Sequence, residues 1–235
     1  MPRFHSWFVN VNKKYRDNLE KNRAISGDAA TFFAQYQAQK LAAWFPQKIH
    51  ADISILDFGC GDGLMTSFVQ HIFTNATLYG VDPSGEHIAL AKDMYEGIHF
   101  TRSDEKLDFP DNTFDLIYAT EVFHHIPREK HAHYCAELKR VLKPGGTLVI
   151  FELNPFNIAT LYRFKTDPHE RDAHLITPWA LQRLLKPYGE ISTRFYSFFP
   201  NILSSMRILE PYLTWLAVGG LYAVSVTKLT NSNYR

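Results

Sequence analysis

The sequence predicts an α/β domain built on a mostly parallel β-sheet, and three observations carry that expectation. Short apolar runs alternate with helical stretches from about residue 53 to residue 153, and the first run ends in the turn Gly59-Cys60-Gly61-Asp62-Gly63. Such alternation implies right-handed crossovers and a sheet covered on both faces. The third observation is scale. A chain of 235 residues, 46% hydrophobic and 21% charged, suits a single globular domain with a sizeable core.

The elements follow in order. Residues from about Val11 to Phe45 read as helical, with Phe32, Phe33, Tyr36, Leu41 and Trp44 spaced for partly buried faces and Gly27-Asp28 as a break. Ile53–Phe58 is the first strand and Leu64–Phe73 the helix after the glycine turn. Thr77–Val81 is the second strand. Ser84 caps the next helix, with Glu86 in its first turn to complement the dipole. Ile98–Thr101 and Phe114–Ala119 are the third and fourth strands. A helix over Arg128–Leu142 stops at Lys143-Pro144-Gly145-Gly146, before a fifth strand over Thr147–Leu153. Past Asn154-Pro155 the rhythm loosens. Thr177–Lys186 is a helix with Pro178 at its first position. Glu190–Phe199 and Leu221–Lys228 read as strands, with a helical stretch between, and suit a final antiparallel pair.

Composition narrows the function. Twenty-five basic against 24 acidic residues leave a net charge of +1, so no broad field attracts nucleic acid. Two cysteines, Cys60 and Cys135, make no disulfide framework, and no Cys/His cluster has metal-ligand spacing, so no metal is expected. The opening residues lack the apolar run of a signal peptide, and a cytoplasmic location is expected. The charge-free apolar stretch Tyr212–Val226 has 15 residues and contains Gly219-Gly220, short of the roughly 20 that a spanning helix needs. Peripheral contact with a membrane stays open.

The glycine turn is the sharpest chemical signal. Gly59, Gly61 and Gly63 permit positive φ and close approach of a ligand to backbone. Asp57 ends the preceding strand, where its carboxylate can accept from a ligand ammonium directly or through water. A dinucleotide fingerprint starting at Gly59 requires glycine at position 64, which is Leu64, and acids at Asp57 and Asp62 serve a pyrophosphate poorly. A phosphate-free ligand with a positive centre fits better. Asp82, after the second strand, can take both ribose hydroxyls. Asp104, just past the third, is placed to accept from an adenine amine, with Glu105 beside it as a weaker candidate.

These motifs resemble the class I S-adenosylmethionine-dependent methyltransferases, in the small-molecule branch near the ubiquinone and menaquinone enzymes. LDFGCGDG at 56–63, GVDPS at 80–84, SDEKLDFPDNTFDLIYATEVFHHI at 103–126 and LKRVLKPGGTLVIFE at 138–152 carry the likeness, with weaker matches around Tyr15 and 35–41. The resemblance implies a Rossmann-like, seven-stranded, mostly parallel sheet with an antiparallel last strand, helices on both faces and an N-terminal helical lid. It divides the single domain into a lid over 1–50, a cofactor-binding core over 51–153 and an acceptor-side part over 154–235. It implies S-adenosylmethionine as cofactor and S-adenosylhomocysteine as product. The loop from Gly59 through Cys60 and Gly61 to Gly63 would hold the methionine part, Asp82 and the adjoining Pro83 the ribose, and Asp104 the adenine amine. Glu121 and Phe123 fall in the segment that faces the cofactor.

Methyl transfer from a sulfonium needs alignment and exclusion of water rather than a metal. For a hydroxyl acceptor a base near neutral pKa helps, and His124 and His125 are the candidates by position; the pair can equally serve only to cap the loop before Ile126-Pro127. Asn154-Pro155-Phe156 lacks the second proline of the amino-methylating DNA enzymes and follows the wrong strand. The mixed-charge run Arg163–His174 reads as a solvated loop. The aromatic segments Phe195–Pro200 and Pro211–Trp215 suit a small, apolar or lipid-like acceptor whose methylated atom is oxygen, nitrogen or carbon. The rival readings are a protein or RNA methyltransferase, a non-catalytic S-adenosylmethionine-binding regulator and a nicotinamide oxidoreductase. The oligomeric state is open.

Overall fold

Side chains alternate along the central strands and so divide the core in two. Ile55, Leu116, Val149 and Phe151 belong to one buried cluster, while their neighbours Leu56, Ile117, Leu148 and Ile150 belong to the other. A strand buried on both faces reads as a continuous apolar run, and these strands do. The computed structural model describes residues 30–166, 170, 173–199 and 201–230.

The strands are β1 (Ser54–Phe58), β2 (Thr77–Asp82), β3 (Ile98–Arg102), β4 (Phe114–Thr120), β5 (Leu142–Leu153), β6 (Gly189–Tyr196) and β7 (Leu221–Lys228). They form one sheet in the order β3-β2-β1-β4-β5-β7-β6. Pairing is parallel from β3 through β5, and β7 runs antiparallel to both β5 and β6. The expected architecture, including the antiparallel final strand, is therefore present. The order reverses between β1 and β4, which opens a crevice at their carboxyl ends.

Helices cover both faces. Helix α1 (Ala30–Trp44), α2 (Leu64–Ile72) and α3 (Gly85–Met94) pack on the first cluster through Ala38, Leu41, Phe68, Val69, Ile88 and Ala91. On the other face lie α4 (His131–Val141) and α6 (Pro178–Leu185), through Cys135, Leu138, Leu181 and Leu185. Between them in sequence comes α5 (Ile158–Thr166); α7 (Glu210–Leu213) precedes β7. Of the segment expected as a lid, α1 is a core helix, with Ala38 and Leu41 wholly buried. Residues 1–29, with the Gly27-Asp28 break and Tyr15, lie outside the described residues.

Two local expectations hold in detail: Ser84 Oγ accepts from His87 N at 3.3 Å, and Pro178 opens α6, with Thr177 before it as the cap rather than a helical residue. One boundary differs. The segment Lys143–Gly146 does end a helix, at Val141, but it already belongs to β5. Register shows why. Phe114 pairs with Leu142 and Leu116 with Thr147, so two steps on β4 face five on β5. Pro144 donates no hydrogen bond and Gly145 has φ +76°, so the extra residues bulge without ending the strand.

Candidate functional site

The loop between β1 and α2 stands at the crevice. Its three glycines all have positive φ, at +78° for Gly59, +52° for Gly61 and +80° for Gly63, but their surroundings differ. A Cβ on Gly59 would lie 2.4 Å from Val122 Cγ2, and one on Gly63 2.7 Å from Phe100 Cζ. Those two are glycines because neighbours pack against them. Gly61 has nothing within 4 Å of that position, so space opens in front of the loop there.

Asp82 holds that opening in shape. Its Oδ2 accepts from Gly61 N at 3.0 Å and its Oδ1 from Ser84 N at 2.9 Å, so one carboxylate joins the ends of β1 and β2. Each oxygen retains acceptor capacity for a ligand hydroxyl. Ser103 N donates to Asp82 O at 3.2 Å, which brings the start of the next loop alongside. Asp104 there is exposed and 3.7 Å from Arg102 Nη2. Glu105 is turned to Lys130 at 2.6 Å, and that ammonium holds its pKa below the usual carboxylate value. Pro83 is exposed and Cys60 buried, its thiol pushed up by burial and by Asp57 and Asp82.

The loop suits a cation and repels a pyrophosphate. Asp62 Oδ1 accepts from Leu64 N at 3.2 Å, so a carboxylate already sits at the amino end of α2, where a dinucleotide phosphate would bind. Asp57 is buried, and Thr66 Oγ1 and Tyr118 OH both donate to its Oδ2, at 2.6 and 2.9 Å. Burial raises its pKa to about 7, against the two hydrogen bonds that lower it. Because folding raises this acid's pKa, its ionisation costs stability as pH rises from about 4 through 7, and the cost is full above 7. Asp57→Asn should therefore raise the unfolding temperature at pH 8, with the gain shrinking towards pH 5. A gain independent of pH in thermal melts would contradict the buried, ionisable carboxylate.

The segment after β4 closes the crevice from the other side. Glu121 takes φ +55°, which is uncommon for a side-chain-bearing residue and recurs at functional sites. Its N–H bonds Phe151 O, and its Oε1 lies 3.4 Å from Gln37 Nε2, which also reaches Tyr196 OH. Gln37 and Tyr196 are buried polar groups that the sequence did not single out; only α1 folding back on the sheet brings them here. Phe123, expected to face the cofactor, has no exposed surface. It packs between Phe58 and His131 in the second core cluster.

The two histidines part company. His124 is buried, with Nδ1 2.6 Å from Glu152 Oε2 and Nε2 3.3 Å from Glu170 Oε2. Burial pushes its pKa down, but the two carboxylates outweigh that and hold it near 10. A ring kept protonated does not serve as a base at neutral pH. His125 is half-exposed and its pKa is lowered, by burial and by the charge on His124. Both line a cavity of about 330 Å³ with Ile126, Arg128, Glu129 and His174. No sequence spacing linked Glu170 to this pair. It lies 45 residues beyond His125, in the run read as a solvated loop, whose residues 167–169, 171 and 172 are outside the described set.

Residues 56–150 match the family model described as "Methyltransferase domain". Over 111 residues the chain is 33% identical to a sterol 24-C-methyltransferase of Neurospora crassa, covering 44% of this chain and 28% of that one. Similarity to a malonyl-[acyl-carrier protein] O-methyltransferase of Pectobacterium atrosepticum is lower, at 26%, but longer, covering 80% of this chain and 75% of that protein. A solved S-adenosylmethionine-dependent methyltransferase of Archaeoglobus fulgidus superimposes with TM-score 0.68 at 18% identity, over 92% of this chain and all of that one. Alignment with the Neurospora enzyme and with relatives in Bacillus cytotoxicus and Saccharomyces cerevisiae spans less than half of each of those proteins. The matched segment contains the glycine turn and the carboxylate that braces it, the fold agrees over nearly the whole chain, and the loop's chemistry favours a phosphate-free cation. Residues 56–150 are a methyltransferase domain by their family match, and the chain as a whole has the fold of the S-adenosylmethionine-dependent methyltransferases.

Proposed function

We propose that this protein methylates a small, apolar, lipid-like acceptor at the mouth of the β1/β4 crevice. The observation that carries the reading is the pairing of open space at Gly61 with the Asp82 carboxylate on its backbone N–H. When bound there, S-adenosylmethionine supplies a methyl group already activated by its sulfonium.

The chain's own contribution is to bind, orient and keep water out. Asp82 presents both oxygens to a ribose diol while bracing the loop, so binding and loop shape depend on one side chain. Asp104, exposed at the start of the loop after β3, would accept from the adenine amine. Asp57 is held away from direct contact by Thr66 and Tyr118 and acts by fixing the loop's base and adding negative field. The Gly61 backbone admits the methionine part. Across the crevice, Glu121 borders the space from the β4 side, held from behind by the buried Gln37 of α1. Of the histidine pair, His125 is the one exposed enough to meet an acceptor. Alignment of this kind is worth up to roughly 7–11 kcal/mol in well-oriented model reactions, so no separate chemical catalyst is needed for a nucleophilic carbon or amine.

The acceptor's character rests on the part of the chain after β5. Apolar side chains there are unusually exposed: Ile158 by 85%, Ile208 by 78% and Trp215 by 73%, with Phe156 and Trp179 edge to face at 5.0 Å. Similar proteins are named for sterols, for a malonyl-[acyl-carrier protein] and for phthiotriol dimycocerosates, which supports an acceptor of lipid-like character. Among the described residues no helix is long and apolar enough to cross a membrane, so such an acceptor would be met at a surface or on a carrier.

Calorimetry with S-adenosylmethionine, S-adenosylhomocysteine and NAD, followed by labelled-methyl transfer into a fractionated cell extract, tests the reading. Binding of the first two and label in the lipid fraction are expected. Tight NAD binding would overturn the cofactor, and label confined to protein or RNA would overturn the acceptor class.

A further inference from the structure

His124 Nε2 is buried and faces Glu170 Oε2 across 3.3 Å, yet it makes no hydrogen bond. His125 Nε2 reaches the same oxygen at 3.8 Å, and the three donor atoms lie within 4.8 Å of one another. Behind them, His124 Nδ1 sits 2.6 Å from Glu152 Oε2, and Glu152 Oε1 accepts from Phe123 N at 2.7 Å. Glu152 is wholly buried, so this second carboxylate has no solvent to satisfy and is spent on orienting the ring. A ring fixed from behind by a carboxylate, with its other nitrogen turned to a second acid and a second imidazole, has the arrangement of a metal-ligating histidine. Tetrahedral zinc with bonds of about 2.0–2.1 Å sets its donor atoms roughly 3.3–3.4 Å apart; His124 Nε2 and Glu170 Oε2 already stand at 3.3 Å, while the half-exposed His125 ring, at 3.8 Å from the same oxygen, would draw in on binding.

We propose that His124, His125 and Glu170 bind one divalent transition-metal ion of the zinc type, with Glu152 fixing the His124 ring. Two imidazoles and one carboxylate suit zinc or cobalt rather than magnesium or calcium, which prefer all-oxygen shells. Three protein ligands leave a fourth position, and the cavity of about 330 Å³ lined by His124, His125 and His174 adjoins it. Val122, which packs against Gly59, is two residues from His124, so the ion would border the crevice beside the cofactor loop. An open coordination position there suits an acceptor oxygen. Ligation also uses the lone pair that His125 Nε2 would need as a base, so the two roles exclude each other at that atom.

The test uses the full chain, stripped with chelator and titrated with cobalt(II). One equivalent should bind with the visible absorption of a four- or five-coordinate ion, be displaced by zinc and be unmoved by magnesium. His125→Ala and Glu170→Gln should each weaken cobalt binding by at least about tenfold. Their metal-free unfolding temperatures and S-adenosylmethionine affinities serve as controls for folding. Absence of stoichiometric uptake, or uptake that both variants retain, would overturn the site in favour of scattered surface histidines. A chain that takes up cobalt but binds no S-adenosylmethionine would keep this site and sink the methyl-transfer reading, so the two failures are separable.

Discussion

Asp82→Ala is expected to cost S-adenosylmethionine affinity roughly 100- to 1,000-fold, which corresponds to about 3–4 kcal/mol. Charge-assisted hydrogen bonds contribute about 1.5–3 kcal/mol each, and this carboxylate is proposed to make two to the ribose. The loss compounds because the same oxygens hold Gly61 N and Ser84 N, at 3.0 and 2.9 Å. Removing them frees the loop as well as the ligand. Asp82→Asn separates the contributions, since its single carbonyl oxygen can keep one backbone donor but not serve a diol with two acceptors. Calorimetry should rank wild type above asparagine above alanine. Wild-type affinity in the alanine variant would remove Asp82 from the binding site, and with it the geometric basis of the functional reading.

The glycines at 59 and 61 should fail in opposite ways. Gly59→Ala places a methyl 2.4 Å from Val122 Cγ2 and 2.9 Å from Cγ1 at φ +78°. The left-handed backbone costs about 1–2 kcal/mol and overpacking a further 1–3, so urea unfolding should show a loss of about 2–5 kcal/mol. Adding Val122→Ala should recover the packing part and leave the backbone part. Gly61→Ala meets no neighbour, so its stability should fall by only about 1–2 kcal/mol. Its methyl group instead enters the space assigned to the ligand, and affinity should drop while the fold persists. Equal stability losses in the two variants, or unchanged affinity in Gly61→Ala, would mean that the ligand does not lie against this turn.

The contrast between these glycines marks a boundary of what spacing can reveal. All three glycines read alike in the string GCGDG, as permissive positions in a tight turn. Which of them faces a packed neighbour and which faces open space depends on Val122, just past β4, and Phe100, on β3. The same division runs through the acids. Asp57 and Asp82 stand at strand ends and Asp104 just past one, but Asp82 accepts from the loop's own backbone at Gly61, while Asp57 is engaged by Thr66 and Tyr118 beneath it. Phe123 and His124 are adjacent residues with different fates, one in the apolar core and one between two carboxylates.

What the sequence by itself determined is local in its physics. Strand and helix alternation, the Ser84 cap, Pro178 at the start of a helix, the glycine turn and the absence of a glycine at position 64 act within a few residues, where periodicity, capping and allowed φ decide the outcome. The doubly covered parallel sheet follows from that alternation through the handedness of crossovers. Only the tertiary structure decided which charges meet. Glu152 and Glu170 reach His124 from 28 and 46 residues away, and Gln37 reaches Glu121 across 84. Such pairings act through space at about 3 Å, and no periodicity along the chain encodes them until the sheet is assembled and α1 is laid over it.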